Sequence, residues 1–149
     1  MNVFIRTDAS TEIGTGHVMR CLVLAKQLQK RNVTVYFICR KLAGNLISYI
    51  EEQGFSVISL QAVISENDYN WFENHWKRDS DETIALMKPY QQIDWLIIDH
   101  YGIDIRWEKE MKPHVQRMMV IDDLANRPHI CDLLLDQNVL PQMEQRYNH

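Results

Sequence analysis

The chain has 149 residues, 46% of them apolar and 24% charged, with a formal net charge of −4. Those figures describe one domain long enough to bury a real core, and they exclude overall disorder and low-complexity architecture. The acidic balance also argues against a broad nucleic-acid face. The charge is uneven: residues 1–54 carry seven Lys/Arg against four Asp/Glu, and residues 55–149 carry nine against sixteen. That asymmetry reads as two differently solvated faces.

Cys21, Cys39 and Cys131 are an odd, widely spaced set, which offers neither a disulfide framework nor a CxxC metal site. The N-terminus holds only the short apolar stretch Val3-Phe4-Ile5, with no signal-peptide core, and no apolar run approaches the ~20 residues of a membrane span. The expected setting is a reducing cytoplasm, with no membrane partner.

Asn2–Thr7 reads as a buried strand that opens into a loop, Asp8–Gly16. Apolar residues then fall at Val18, Cys21, Leu22, Ala25 and Leu28, the spacing of an amphipathic helix, and Asn32 ends it. Val33–Cys39 is a continuous β-branched and aromatic run, as in a strand covered on both faces. Leu42–Gln53 predicts a second helix with Gly54 as its left-handed C′ residue, and Phe55–Leu60 a third strand. Gln61–Asp79, with Trp71, Phe72 and Trp76, is the longest gap, read as a lid or a helix of its own. Asp79 or Ser80 is expected to cap a helix running to about Gln91, limited by Pro89. Asp94–Asp99 is a fourth strand, Ile105–Lys112 a helix stopped by Pro113, Met118–Ile121 a fifth strand and Leu133–Leu135 a sixth.

This alternation predicts an α/β, Rossmann-like parallel sheet with helices on both faces. Right-handed crossovers then gather the loops after the strands along one sheet edge, where such folds bind ligands.

Three of those loops carry chemistry. In Asp8–His17, Gly14 and Gly16 let the backbone approach a ligand, and the following helix offers free N–H groups and a positive dipole end to an anion or polar sugar. The third glycine of a dinucleotide fingerprint is replaced by Met19, and no Gly-Lys-Ser/Thr follows. A tight turn before a helix is the plainer alternative. His17, at the helix start, is placed to take or give a proton, unless it is an incidental surface histidine. In Asp99-His100-Tyr101-Gly102, Tyr101 can donate a hydrogen bond to a sugar or phosphate and Gly102 allows a sharp turn; the alternative is an Asp99 cap with Tyr101 on the rim. Asp122-Asp123 is either a polar pair or loop anchoring with Arg127 as partner. A metal reading lacks His or Cys at ligand spacing.

Taken in order, Arg6-Thr7-Asp8-Ala9-Ser10, Ile13-Gly14-Thr15-Gly16-His17, Arg20-Cys21-Leu22, Asp99-His100-Tyr101-Gly102, Asp122-Asp123-Leu124-Ala125 and Cys131–Asn138 form a specific series. The series resembles the UDP-sugar hydrolases of pseudaminic-acid biosynthesis and the related spore-coat polysaccharide proteins. That resemblance implies that residues 1–138 are the N-terminal Rossmann-like half of a GT-B, MurG-like fold. Residues 139–149 would be a tail, and the nucleotide-binding C-terminal domain would be absent from this chain. It implies attack of water on the anomeric carbon of a UDP-linked 2,4-diacetamido-2,4,6-trideoxy sugar, with inversion. His17 would be the catalytic base, and Asp8, Gly14, Gly16, Arg20, Tyr101 and Asp123 would bind substrate. The implied partner is the small-molecule UDP-sugar, with no cofactor and no metal. The oligomeric state stays open, with a monomer allowed. The rival classes are a non-catalytic sugar- or partner-binding half-domain and a glycosyltransferase of the same fold.

Overall fold

The computed structural model describes residues 1–64 and 67–136. The end of the last motif, Gln137-Asn138, and the expected tail 139–149 lie outside the described residues. Six strands, β1 (Asn2–Thr7), β2 (Thr34–Arg40), β3 (Ser56–Leu60), β4 (Trp95–Asp99), β5 (Arg117–Ile121) and β6 (Leu133–Leu135), make one parallel sheet in the order β3-β2-β1-β4-β5-β6. The α/β, Rossmann-like architecture expected from the alternation is what forms.

The helices α1 (Gly16–Lys30), α2 (Ile47–Glu52), α3 (Asp68–Met87) and α4 (Ile105–Met111) divide between the two faces. The two-residue period of a strand explains the division. Val3 and Ile5 point to a cluster completed by Val18, Cys21, Leu22 and Ala25 of α1 and Ile50 of α2. Phe4 points the other way, into Ile38, Leu96, Met87 of α3, and Trp107 and Met111 of α4. Each such fully buried side chain contributes roughly 1.5–3 kcal/mol from removal of apolar surface from water. Asn32 (φ 63°) and Gly54 (φ 93°) take the left-handed conformation after α1 and α2, so both helix stops fall where the sequence puts them.

Three expectations change. Helix α3 begins at Asp68, capped by Asn67, whose side chain accepts from the Asn70 amide (3.0 Å); the gap is therefore mostly helix. Asp79 and Ser80 do not cap it but lie buried inside it. A kink at His75 explains the hidden periodicity. Its Nδ1 takes the Trp71 carbonyl (3.0 Å), and the backbone there is non-helical. Helix α2 is shorter than predicted, because Leu42 leaves it to pack with Trp71 and Phe72.

Below the glycine loop lies a buried ionic cluster. The Asp79 carboxylate accepts from Arg6 Nη2 (2.7 Å) and Nε (3.3 Å), Arg40 Nη2 (2.9 Å) and Nε (3.1 Å), and Trp107 Nε1 (2.9 Å). Arg6 also pairs with Asp8 at 2.9 Å. This cluster ties α3 and α4 to the ends of β1 and β2.

The strand order reverses between β1 and β4. Chain leaving β1 turns toward β2, and chain leaving β4 turns toward β5. The loops after these two adjacent strands diverge and leave a crevice between them, the switch point at which open α/β sheets bind ligands.

Candidate active site

The glycine loop leaves β1 and is fixed by its own polar groups. Gly14 N–H donates to the Ser10 carbonyl (2.8 Å), and Ser10 Oγ accepts from the Ile13 amide (2.8 Å) while donating to Asp68 of α3 (2.6 Å). Gly14 holds φ at 86°, a value that favours glycine, and a side-chain carbon at either Gly14 or Gly16 would meet only open space. The open space matters: the start of α1 is uncovered. Thr15 supplies no side-chain cap and the first turn holds no carboxylate, so its free N–H groups are open to an anion or a sugar oxygen.

His17 is more enclosed than its position suggests, only 7% exposed. Its Nδ1 sits 2.6 Å from Oδ1 of Asp99, the last residue of β4. Arg20, one turn along α1, spans both oxygens of the same carboxylate at 2.5 Å. Burial works against the charge on Asp99, but the Arg20 and His17 hydrogen bonds outweigh it and hold the carboxyl below its usual range. An ionised Asp99 can only accept, so His17 donates from Nδ1, and in the neutral ring Nε2 is then the lone-pair nitrogen. A histidine oriented in this way by a buried carboxylate can act as a general base.

Tyr101 stands edge-on to the His17 ring, with centroids 4.3 Å apart. Its hydroxyl donates to Asp123 in a short hydrogen bond, and Asp123 lies 3.9 Å from Arg20 Nη1. Burial, then the Asp123 hydrogen bond, push the Tyr101 hydroxyl up to about 12, so it remains a donor. Hydrogen bonds join His17, Arg20 and Asp99, and the His17–Tyr101 ring contact and the Arg20–Asp123 ion pair link them to the Tyr101–Asp123 pair, so the five side chains form one group drawn from α1, the end of β4 and the loops after β4 and β5.

Asp8 does not join them. It is fully buried and braces the scaffold, accepting from the Arg40 amide (2.7 Å) and from His100 Nε2 (2.9 Å). Burial would raise its pKa, but Arg6 and His100 hold it at about 2. His100 accepts the Gly102 amide at Nδ1 (2.9 Å), and burial holds its pKa below the usual value, so it stays neutral. Gly102 serves close packing rather than a left-handed turn: a side-chain carbon there would stand 3.0 Å from both Phe72 and His100.

The two adjacent aspartates diverge. Asp122 anchors its own loop, accepting from the Leu124 and Ala125 amides and from Arg127 Nη1 (3.1 Å), so the anchoring alternative describes Asp122. Asp123 alone reaches the site. Among the described residues, no three His, Cys, Asp or Glu side chains are arranged to hold a metal ion.

Sequence reasoning missed Asp99 as a functional partner. The signal was present: a carboxylate ending an apolar strand next to β1 must find buried donors. Only the strand order reveals that α1 supplies them. Size does not mark the site either. A concavity of about 630 Å³ at the β3 edge, between Leu60 and Lys77 of α3, is larger than the cleft of about 380 Å³ lined by Tyr101.

No family model matches the sequence. The chain is 38% identical over 138 residues to the UDP-2,4-diacetamido-2,4,6-trideoxy-beta-L-altropyranose hydrolase of Campylobacter jejuni subsp. jejuni serotype O:2, which covers 93% of this chain and 42% of that protein. It is 33% identical over 123 residues to an uncharacterised protein of Methanocaldococcus jannaschii, covering 83% of this chain and 22% of that one. The chain thus spans less than half the length of either relative. No helix among the described residues is long and apolar enough to cross a membrane. With its parallel sheet and a likeness running over 93% of its own length, the chain is similar to the Campylobacter hydrolase, 42% of which it covers.

Proposed function

We propose that residues 1–136 supply the water-activating half of a UDP-sugar hydrolase site, acting in the cytoplasm on a diacetamido-trideoxy sugar. The observation that carries this reading is the His17–Asp99 pair at the switch point, beside the open start of α1. His17 Nε2 takes a proton from water as the water oxygen attacks the anomeric carbon. The anomeric C–O bond breaks, its electron pair leaves with UDP, and the configuration inverts. Asp99 stabilises the imidazolium that forms, and Arg20 keeps Asp99 ionised and in place. Tyr101 and Asp123 orient the sugar, and the Gly14–Gly16 backbone and free N–H groups of α1 hold a sugar or phosphate oxygen. Asp8 acts through the scaffold alone.

In this reading the sheet is the first of two facing halves of a GT-B fold, and the nucleotide contacts come from the greater length that the relatives possess. Isothermal titration of the 149-residue chain with the free sugar and with UDP tests the division. Sugar binding with little UDP binding is expected; tight UDP binding overturns it. In a full-length homologue, His17→Ala should lower kcat by about 10²–10⁴-fold. A loss confined to KM makes His17 a binding residue instead. UDP release measured with and without acceptor alcohols separates hydrolysis from glycosyl transfer.

A further inference from the structure

The cleft of about 380 Å³ lies on the side of Tyr101 that the catalytic group does not use, between the start of α3 and the loop after β5. Its walls include Tyr69, Tyr101, Leu124 and Asn126. The loop that presents the last two is held rigid. Asp122 accepts the Leu124 and Ala125 amides, Ala125 takes φ of 52°, and Arg127 is tied to Asp122, the Ile103 carbonyl and the His100 carbonyl. A non-glycine residue in the left-handed region costs about 1–3 kcal/mol, so this loop shape is maintained against strain.

Leu124 stands 43% exposed at the cleft rather than in the core. Beside it, Asn126 accepts from Arg127 Nη1 at Oδ1 (3.0 Å), which fixes the amide flip and assigns the outward donors to Nδ2. Among the described residues, Nδ2 has no hydrogen-bond partner. Tyr69 adds a hydroxyl that burial, then Glu12 and Asp68, keep protonated. The cleft therefore offers an aliphatic contact, two aromatic walls and the Asn126 and Tyr69 donors, alongside the carboxylates of Glu73 and Asp104 and the Arg127 guanidinium.

We infer that this cleft is the specificity pocket for an acetamido group of the sugar, resting on the hydrolase reading above. An acetamido group carries a methyl and a carbonyl acceptor on one rigid plane. Leu124 packs on the methyl, and Asn126 Nδ2 donates to the carbonyl. A hydroxyl at the same ring position fills neither contact. Leu124 and Asn126 are thus specificity-determining residues, and Tyr101 is the wall shared by recognition and chemistry.

The test is methyl NMR of the 149-residue chain labelled at leucine. The probes are methyl 2-acetamido-2-deoxyglucoside and methyl glucoside, each to about 50 mM, within the millimolar-or-weaker range expected of a small ligand. The acetamido glycoside should shift the Leu124 methyl signals and the plain glycoside should not. Asn126→Ala and Leu124→Asn should each weaken that binding about tenfold, the effect of one lost hydrogen bond or methyl contact. Both substitutions sit on an exposed loop, and retained amide dispersion checks their fold. Equal responses to the two glycosides, no response to either, or wild-type affinity in both variants overturns the pocket. His17→Gln distinguishes this from the parent reading. It should abolish UDP release in a full-length homologue while leaving acetamido binding by the chain intact. Loss of the pocket with His17-dependent release preserved sinks only the pocket.

Discussion

Asp79→Ala is the most informative single change to the scaffold. It removes a carboxylate that accepts five N–H contacts from two arginines and a tryptophan. Arg6 and Arg40 are both fully buried. Among the described residues, Arg6 then keeps only Asp8 as an ionic partner, at 2.9 Å, and Arg40 only Glu82, at 3.5 Å. Breaking a buried ion pair from one side costs about 3–5 kcal/mol, because a cation is left in a poor solvent. A domain of this size has roughly 5–15 kcal/mol in total. With a urea slope near 2 kcal/mol per molar, a loss of about 4 kcal/mol lowers the midpoint by about 2 M. Tryptophan fluorescence is a suitable probe, since Trp107 donates to Asp79 and Trp71 lies under the Arg40 guanidinium at 4.6 Å. A midpoint shift below about 0.5 M for Asp79→Ala would refute the argument that the cluster ties the helices to the sheet.

Four further outcomes follow from the geometry. Asp99→Asn should invert the His17 tautomer, read by nitrogen NMR as a proton moving to Nε2, and should cut turnover in a full-length homologue by about 10²–10⁴-fold; an unchanged tautomer removes Asp99 from the mechanism. Gly102→Ala should cost about 1–3 kcal/mol by overpacking against Phe72 and His100, whereas Gly16→Ala, in open space at a helical position, should raise the thermal midpoint slightly. Burial lowers the pKa of His129, but Asp122 and Glu108 raise it further, to about 9. Its folded pKa lies above its unfolded value of about 6.5, so its stabilisation is full below pH ~6.5 and is lost as pH rises through about 9; a melting curve of His129→Gln should show that decline flattened. Asp8 is the reverse case, with its folded pKa near 2. Its contribution is present above about pH 4 and is lost as pH falls, so Asp8→Asn should show a shallower acid transition than wild type.

The fold was largely legible because each strand announced itself by composition. Trp95–Ile98 and Val35–Cys39 are apolar on both sides, as only a covered parallel strand allows. Helix α3 was less legible. Its buried residues include Asp79, Ser80 and Thr83, and a polar buried face defeats hydrophobic periodicity. The kink at His75 shifts the phase halfway. In the site, His17 and Tyr101 could be singled out because they lie beside glycines and strand ends, whereas Arg20 and Asp123 came through the resemblance. Asp8 could not be sorted from them by type: a carboxylate after β1 looks the same whether it faces a ligand or Arg6. Asp99 required knowledge that β4 lies beside β1, which pairing across 92 residues of separation does not announce locally.

That same neighbour relation bears on how the chain is made. Strand β1 is central, yet the partner on its β4 side is not synthesised until roughly 90 residues later, about 5–20 s at ordinary rates of translation. During that interval β1, β2 and β3 can pair while the other edge of Val3-Phe4-Ile5 stays open, a sticky apolar strand of the kind that recruits foreign chains. Arrival of Trp95–Asp99 closes that edge and delivers the carboxylate to His17 in one event. A nascent or nicked chain lacking β4 therefore carries an aggregation hazard and no histidine–carboxylate pair, so the burden on chaperones and the appearance of a competent site are settled by the same strand.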